Sequence, residues 1–152
     1  MARLADIEPD MRRYLENYKF PDINTHAWCQ GPSLNQRRVA LISTAGLRRR
    51  DDRPFEVSAR DYRILPMDKR DEIIQDHTNA LHDRTGYLED LNTILPLDRL
   101  NELAAQGHIG EVADYHYSFM GATRADTLEP EVRRLAGVLK VDGVDTVVLC
   151  PV

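Results

Sequence analysis

The run "RVALIST" at residues 38–44 sets the tightest limit on the fold. Past Arg38 it is apolar without interruption as far as Ser43, and it is rich in β-branched residues. A strand with one wet face alternates apolar and polar side chains. A strand without alternation is covered on both faces, as in a parallel sheet with helices on either side. The last part of the chain asks for the same architecture. "LEPEVRRLAGVLKVDG" predicts a helix, with Pro130 in the first turn, Val132, Leu135, Val138 and Leu139 as the apolar stripe, and Gly143 just past the end. Residues 144–149 predict a buried strand directly after it. A helix followed at once by an apolar strand is half of a crossover unit.

The remaining elements fit between these. Leu4, Ile7, Met11, Tyr14, Leu15 and Tyr18 recur at helical spacing, so residues 3–19 predict a helix that Pro9 either starts or breaks. Residues 20–37 read as loop, with Pro21, Asn24, Gly31, Pro32 and Asn35 as turn residues. "AGLRRRDDRPFE" reads as a polar loop, "YRILP" (62–66) as a short strand, and "DKRDEIIQDH" as one or two helical turns. "LDRLNELAAQG" predicts a helix with Leu97, Leu100, Leu103 and Ala104 on one face and Gly107 as its cap. Tyr115, Tyr117 and Phe119 alternate, which predicts a strand or extended loop. The expected fold class is α/β, a partial Rossmann-like three-layer domain with a mostly parallel sheet. Residues 1–37 form an N-terminal helix and loop, and residues 38–152 the α/β domain.

A chain of 152 residues with 42% hydrophobic content suffices for one domain with its own core. Its formal charge of -5 argues against a general nucleic-acid binder. No apolar run approaches the roughly 20 residues of a membrane helix, and the charged N-terminus is no secretory signal. Two cysteines, Cys29 and Cys150, make neither a disulfide framework nor a CxxC, so a reducing, cytoplasmic setting is expected.

In open α/β sheets ligands collect outside the carboxyl ends of the strands. That rule draws attention to Cys150 and to "STAG" (43–46). Ser43, Thr44 and the amides around Gly46 can cradle a carboxylate or phosphate, or simply turn the chain. Arg48, within Arg48–Arg50 and followed by Asp51, Asp52 and Arg53, can hold a carboxylate or belong to a solvated loop. The five histidines (His26, His77, His82, His108, His116) form no metal-site spacing, so no metal is expected. Cys150 is reactive only if its thiolate is stabilised; otherwise it is a small buried hydrophobe. Asp83, Arg84, Asp90 and Asn92 precede "TILPLDRL", where Asp and Asn often cap a helix. The residues alone give an α/β domain with a candidate small-anion site.

Taken together and in order, "RVALISTAGLRRRDDRPFE", "DYRILP", "DRTGYLEDLNTILPLDRLNELAAQGHIGEVADYHYSFMGAT" and "LEPEVRRLAGVLKVDGVDTVVLCPV" resemble the selenoprotein B subunits of the glycine, sarcosine, betaine and D-proline reductases, with the shorter D-proline-reductase-like members the nearest in look. The resemblance runs from about residue 38 to Val152. It implies reductive cleavage of a carbon–nitrogen bond beside a carboxylate, in a hetero-oligomer. It further implies a pyruvoyl group on a partner subunit that holds the amine, a thioredoxin-like dithiol as electron donor, and no cofactor within this chain. It implies a selenocysteine, or a cysteine in its place, directly after the final "PV". Selenocysteine is encoded by UGA, so the chain is expected to be truncated at that codon and, as it stands, to lack reductase turnover. Cys150 is then at most a neighbouring thiol. By position the resemblance offers Ser43, Thr44, Gly46 and Arg48, then Asp83, Arg84, Asp90 and Asn92, then Ser118, Met120 and Gly121, as substrate-side residues. Two other functions stay open: a non-catalytic homologue that binds a small carboxylate or assembles with a partner, and a thiol enzyme that uses Cys150.

Overall fold

The computed structural model describes residues 3–19, 29–78 and 85–152. Its elements are α1 (Pro9–Asn17), β1 (Arg38–Ser43), β2 (Leu47–Arg49), β3 (Tyr62–Pro66), β4 (Ile73–Gln75), α2 (Thr85–Glu89), α3 (Leu97–Ala105), β5 (Glu111–Val112), β6 (Tyr115–Phe119), α4 (Glu129–Val141) and β7 (Thr146–Cys150). Strand β1 is central. It pairs in parallel with β7 along one flank, from Val39 opposite Thr146 to Ser43 opposite Cys150. Along the other flank it pairs in parallel with β5 and then β6, and β3 closes that side antiparallel to β6.

Strands β5 and β6 follow one course with a bulge between them. Arg38 faces Glu111, whereas Ile42 faces Tyr117, so the partner chain carries two more residues over the same stretch of β1. Ala113 and Asp114 take up the excess. The Leu41 amide, opposite the bulge, donates instead to Nδ1 of the fully buried His116 at 2.9 Å. A buried N–H left without an acceptor would cost about 1–3 kcal/mol, so this side chain substitutes for a missing ladder partner.

The unbroken apolar run of β1 has the predicted consequence. Val39 and Leu41 pack with Leu65, Leu95, Leu97, Leu100 and Ile109 on one face. Ala40 and Ile42 pack with Tyr117, Phe119, Leu135, Leu139 and Val144 on the other. Thus α3 covers one side of the sheet and α4 the other, which makes three layers. Both helices close on the glycines read from sequence. The His108 amide donates to the Leu103 carbonyl at 2.9 Å and the Val144 amide to the Leu139 carbonyl at 2.9 Å, each skipping back over the glycine. Arg38 then ties the exit of α4 to the entry of β1, with its Nε on the Asp142 carbonyl and ion pairs to Glu111, Asp114 and Asp142.

Several expectations change. The stretch read as a polar loop after β1 contains β2, which pairs antiparallel with β4. "DKRDEIIQDH" is divided between a 3-10 turn and β4, because Ile73 and Ile74 need a partner strand more than a helical face. Residues 3–19 form a 3-10 turn (Leu4–Asp6) and then α1, which Pro9 opens with the Glu8 carboxylate accepting from the Asp10 and Met11 amides. The predicted stripe on α1 buries nothing: Leu4, Met11, Tyr14, Leu15 and Tyr18 are all exposed. On α4 only Leu135 and Leu139 are buried, while Val132 and Val138 lie outside the core. The last strand starts two residues later than expected, since Val144 completes the α4 cap.

Candidate functional site

The carboxyl ends of β1, β6 and β7 lie side by side. Ser43 is level with Ser118 on one side and with Cys150 on the other. The Thr44 amide donates to the Cys150 carbonyl at 3.1 Å, and the Gly46 amide to the Phe119 carbonyl at 2.9 Å. The Val152 amide donates to Thr44 Oγ1 at 2.9 Å, which straps the segment after β7 to the end of β1. The structure therefore brings Ser43, Thr44, Gly46, Ser118, Met120, Gly121 and Cys150 to one edge.

Their chemistry divides them. Ser43 and Ser118 are fully buried, and their hydroxyls accept from the Ala45 amide at 3.2 Å and the Leu47 amide at 2.8 Å. These hydroxyls hold the turn after β1 in shape and are engaged by the backbone. Met120 is also buried, with its sulfur 3.1 Å from Thr78 Oγ1. Cys150 is half-buried, and burial pushes its thiol above the ordinary range. A thiol held protonated is a poor nucleophile, which weighs against a thiol enzyme built on Cys150.

Gly46 and Gly121 show how closely the chains meet here. Gly121 has φ +97°, and a Cβ on it would sit 2.1 Å from the Thr44 carbonyl oxygen and 3.1 Å from His77 Nε2. Gly46, at φ +64°, would place a Cβ 2.8 Å from the His77 Cα. The buried His77 thus belongs to this edge. Sequence reasoning weighed it only as a metal ligand. The signal that could have found it is the pair of glycines, since each marks a point that tolerates no side chain.

Arg48 belongs to the scaffold. Its Nε donates to Asp76 at 2.8 Å, and its Nη1 reaches the carbonyls of Arg49, Arg50 and Asp52. Asp76 Oδ2 also accepts from the Phe55 amide at 2.9 Å, so the pair fixes the loop after β2. Asp90 and Asn92 organise the start of α3. Asp90 accepts from the Asn92 amide at 2.9 Å, Asn92 Nδ2 donates to Asp98 at 2.7 Å, and the Asp98 amide donates to Asn92 Oδ1 at 2.9 Å. Arg70 holds both oxygens of Asp98. The Arg70 and Asn92 donors keep the Asp98 carboxyl well below its usual range. In a double-mutant cycle of Arg70→Ala and Asp98→Ala, followed by urea denaturation, we expect a coupling of about 1 kcal/mol, because both partners are about one-third exposed. Asp83 and Arg84 lie outside the described residues.

A second feature adjoins the edge. An open cleft separates α1 from the loop that begins at Gly121. Arg13, Tyr14, Tyr18 and Lys19 line one wall, and Gly121, Thr123 and Arg124 the other. Among the described residues no group of three or more His, Cys, Asp or Glu side chains could hold a metal ion, and no helix is long and apolar enough to cross a membrane.

The family model for glycine/sarcosine/betaine reductase selenoprotein B matches residues 11–152. The chain belongs to this family. The match begins inside α1, well before residue 38. The chain is 28% identical over 123 residues to the D-proline reductase subunit gamma of Acetoanaerobium sticklandii, covering 76% of this chain and 49% of that one. It is 30% identical over 122 residues to the sarcosine reductase complex component B subunit beta of Peptoclostridium acidaminophilum, covering 76% of this chain and 28% of the relative. A betaine reductase complex component B subunit beta from the same organism is also 30% identical, over 125 residues. The chain thus spans about half the length of the first of these relatives and less of the others. No solved structure is significantly similar.

Proposed function

We propose that this chain forms part of a multi-subunit, cytoplasmic reductase that cleaves a carbon–nitrogen bond beside a carboxylate, with its site at the carboxyl edge of β1, β6 and β7. The observation that carries the reading is that three motifs of the family resemblance, residues 38–46, 115–121 and 144–152, meet at that one edge. In this reaction class the carbon–nitrogen bond is replaced by carbon–hydrogen. The nitrogen leaves with its electron pair and a proton, and a dithiol is oxidised to a disulfide.

A selenocysteine after Val152 would supply a nucleophile ionised at neutral pH, a cysteine there a less acidic one, and a pyruvoyl group on a partner would supply a carbonyl for the amine. The residues present fit a nucleophile there. Thr44 Oγ1 fixes the Val152 amide, so whatever follows Val152 starts at the end of β1. Ser43 and Ser118 hold the turn beneath it rigid. Cys150, its thiol kept protonated by burial, suits a neighbouring proton-bearing thiol and not the attacking group. A thioredoxin-like dithiol would restore the reduced state.

The test is the peptide that spans Cys150–Val152 in protein isolated from its native cells. Mass spectrometry is expected to show a selenium isotope pattern, or a cysteine, at the position after Val152. A peptide that continues with any other residue contradicts the proposal.

A further inference from the structure

His77 is a buried ionisable side chain at the strand ends that the reductase reading leaves without a task. It comes one residue after β4, and the backbone is pinned on both sides of it. The Asp76 amide donates to the Gly46 carbonyl at 2.8 Å, and Asp76 Oδ2 accepts from Arg48 Nε and the Phe55 amide. On the other side Thr78 Oγ1 lies 3.1 Å from the Met120 sulfur. Two glycines then give way to this one imidazole. A Cβ on Gly46 would stand 2.8 Å from the His77 Cα and 3.2 Å from its Cβ, so the root of the side chain packs on the turn after β1. A Cβ on Gly121 would stand 3.1 Å from Nε2 and 2.1 Å from the Thr44 carbonyl oxygen, so the tip of the ring reaches the turn after β6. The ring bridges the two turns, and Nε2 is directed at the point where Thr44 and Gly121 meet. Thr44 is also the residue whose hydroxyl accepts from the Val152 amide at 2.9 Å. A pinned backbone and a wedged ring leave Nε2 little freedom of direction, as a group that moves a proton requires.

The reaction class asks this edge for a proton. A carbon–nitrogen bond breaks, and a carbon–hydrogen bond and a sulfur–sulfur bond form. The dithiol gives up two electrons and two protons. The electron pair comes to rest on the carbon, which takes one proton, and the second proton leaves with the nitrogen. The other groups at the edge are poor sources. The Ser43 and Ser118 hydroxyls hold backbone amides, and burial raises the Cys150 thiol so that it keeps its proton. A histidine ordinarily titrates near pH 6.5, so it can give a proton and take one back at neutral pH. We infer that His77 is the acid of this edge: Nε2 hands the carbon its proton and is reprotonated by the dithiol as that becomes a disulfide. The inference rests on the reductase reading for the reaction and adds the residue that moves the proton. The charged groups on its own segment are Asp76 and the Arg48 that pairs with it. Strand β7 brings Cys150 to the edge, while β1 and β6 bring the neutral Ser43, Thr44, Ser118 and Met120.

The experiment uses the complex that contains this chain, with the wild-type, His77→Gln, His77→Asn and His108→Gln chains. Cleavage of glycine, N-methylglycine, N,N,N-trimethylglycine and proline is followed at saturating dithiol across the neutral range and one to two pH units to either side. The wild-type kcat is expected to fall as the pH rises through the imidazole's titration, because only the protonated ring can act as the acid. His77→Gln and His77→Asn keep a hydrogen-bonding side chain but carry no acid. Each should lower kcat about 100-fold or more, leave KM within about threefold, and lose the alkaline fall. His108 is exposed just beyond α3, and His108→Gln should keep both the rate and the profile. A merely structural role would lower the rate and leave the shape of the profile in place. A wild-type kcat that is flat with pH, a His77 variant that keeps the alkaline fall, or one that cleaves within about threefold of the wild-type rate would each overturn the inference. The wild-type profile decides it even where neither variant folds. The two readings fail separately. Cleavage that ignores His77 removes the acid and keeps the reductase. A wild-type complex that cleaves none of the four substrates removes the reductase and, with it, the task given to His77.

Discussion

Gly121→Ala is expected to lower the thermal midpoint by about 10 °C or more, the largest effect of any single methyl group in the described fold. A Cβ at this position would lie 2.1 Å from the Thr44 carbonyl oxygen, less than any real contact allows, and the φ of +97° is one that alanine rarely adopts. Backbone strain of that kind costs about 1–3 kcal/mol before the overlap is counted. For a chain of this size each kcal/mol moves the midpoint by about 2–4 °C, so strain plus displacement reaches the stated figure. The nearest atom is backbone, so no side chain can swing away to relieve it. To accommodate the methyl group, β1 and β6 must part at their carboxyl ends. Far-ultraviolet circular dichroism against temperature checks this, with Gly137→Ala as the control. Gly137 lies within α4 and has nothing within 4 Å of the added Cβ. A Gly121→Ala protein that melts within a degree of the wild type would mean that the strand ends are not joined as described.

Acidification is expected to remove about 3 kcal/mol of folding stability between pH 7 and 4, most of it above the pH at which the carboxylates protonate. The source is His116. Burial, reinforced by Arg38 and opposed by Asp114 and Asp142, lowers its pKa to about 4. Its Nδ1 accepts from the Leu41 amide, so the imidazole is neutral and carries its proton on Nε2, which lacks a partner among the described residues. In the unfolded chain the same group titrates near 6.5. Above that pH both states are neutral and the full stability is present. As the pH falls below 6.5, the unfolded chain takes up a proton that the folded protein refuses, and stability falls until the folded pKa is reached. A difference of about 2.5 units corresponds to about 3.4 kcal/mol. Asp98, Asp90 and Asp61 have carboxyls held below their usual range, so their contributions begin to be lost near pH 5 and go mostly below pH 4, touching only the foot of this window. Urea denaturation at pH 7, 5.5 and 4.5 measures the slope. His116→Asn keeps an acceptor near the Leu41 amide and should flatten the slope, whereas His116→Leu should keep it flat at a cost of about 1–3 kcal/mol at every pH. A wild-type slope of zero would contradict the buried, hydrogen-bonded histidine.

The central strand was legible because its requirement is local. "VALI" without alternation admits only a doubly covered strand, and residues 39–42 do contribute alternately to two cores. The same holds for the helix ends at Gly107 and Gly143, where one residue type meets one backbone need. What could not be read depends on partners distant in sequence. Leu47–Arg49 is a strand only because Ile73–Gln75 lies beside it. The apolar spacing on α1 was real, but spacing alone cannot say whether a second surface comes to meet it. At the strand ends, the rule that ligands gather at carboxyl edges brought Ser43, Thr44, Gly46 and Cys150 to notice. It could not show that the serine hydroxyls are engaged by the amides of Ala45 and Leu47, or that Arg48 holds Asp76. His77 escaped because nothing in its neighbours along the chain marks it, whereas Gly46 and Gly121 mark it in space.

The most direct test of the whole account is a chemical one. The complex that contains this chain, isolated from its native cells, is supplied with a dithiol and with glycine, N-methylglycine, N,N,N-trimethylglycine or proline in turn, and cleavage is followed as released amine or, for proline, as the ring-opened 5-aminopentanoate, beside dithiol oxidation. Cleavage of one of these substrates should require the dithiol and match its oxidation one to one. Cleavage that proceeds without dithiol, or cleavage of none of the four, would contradict the reductase reading.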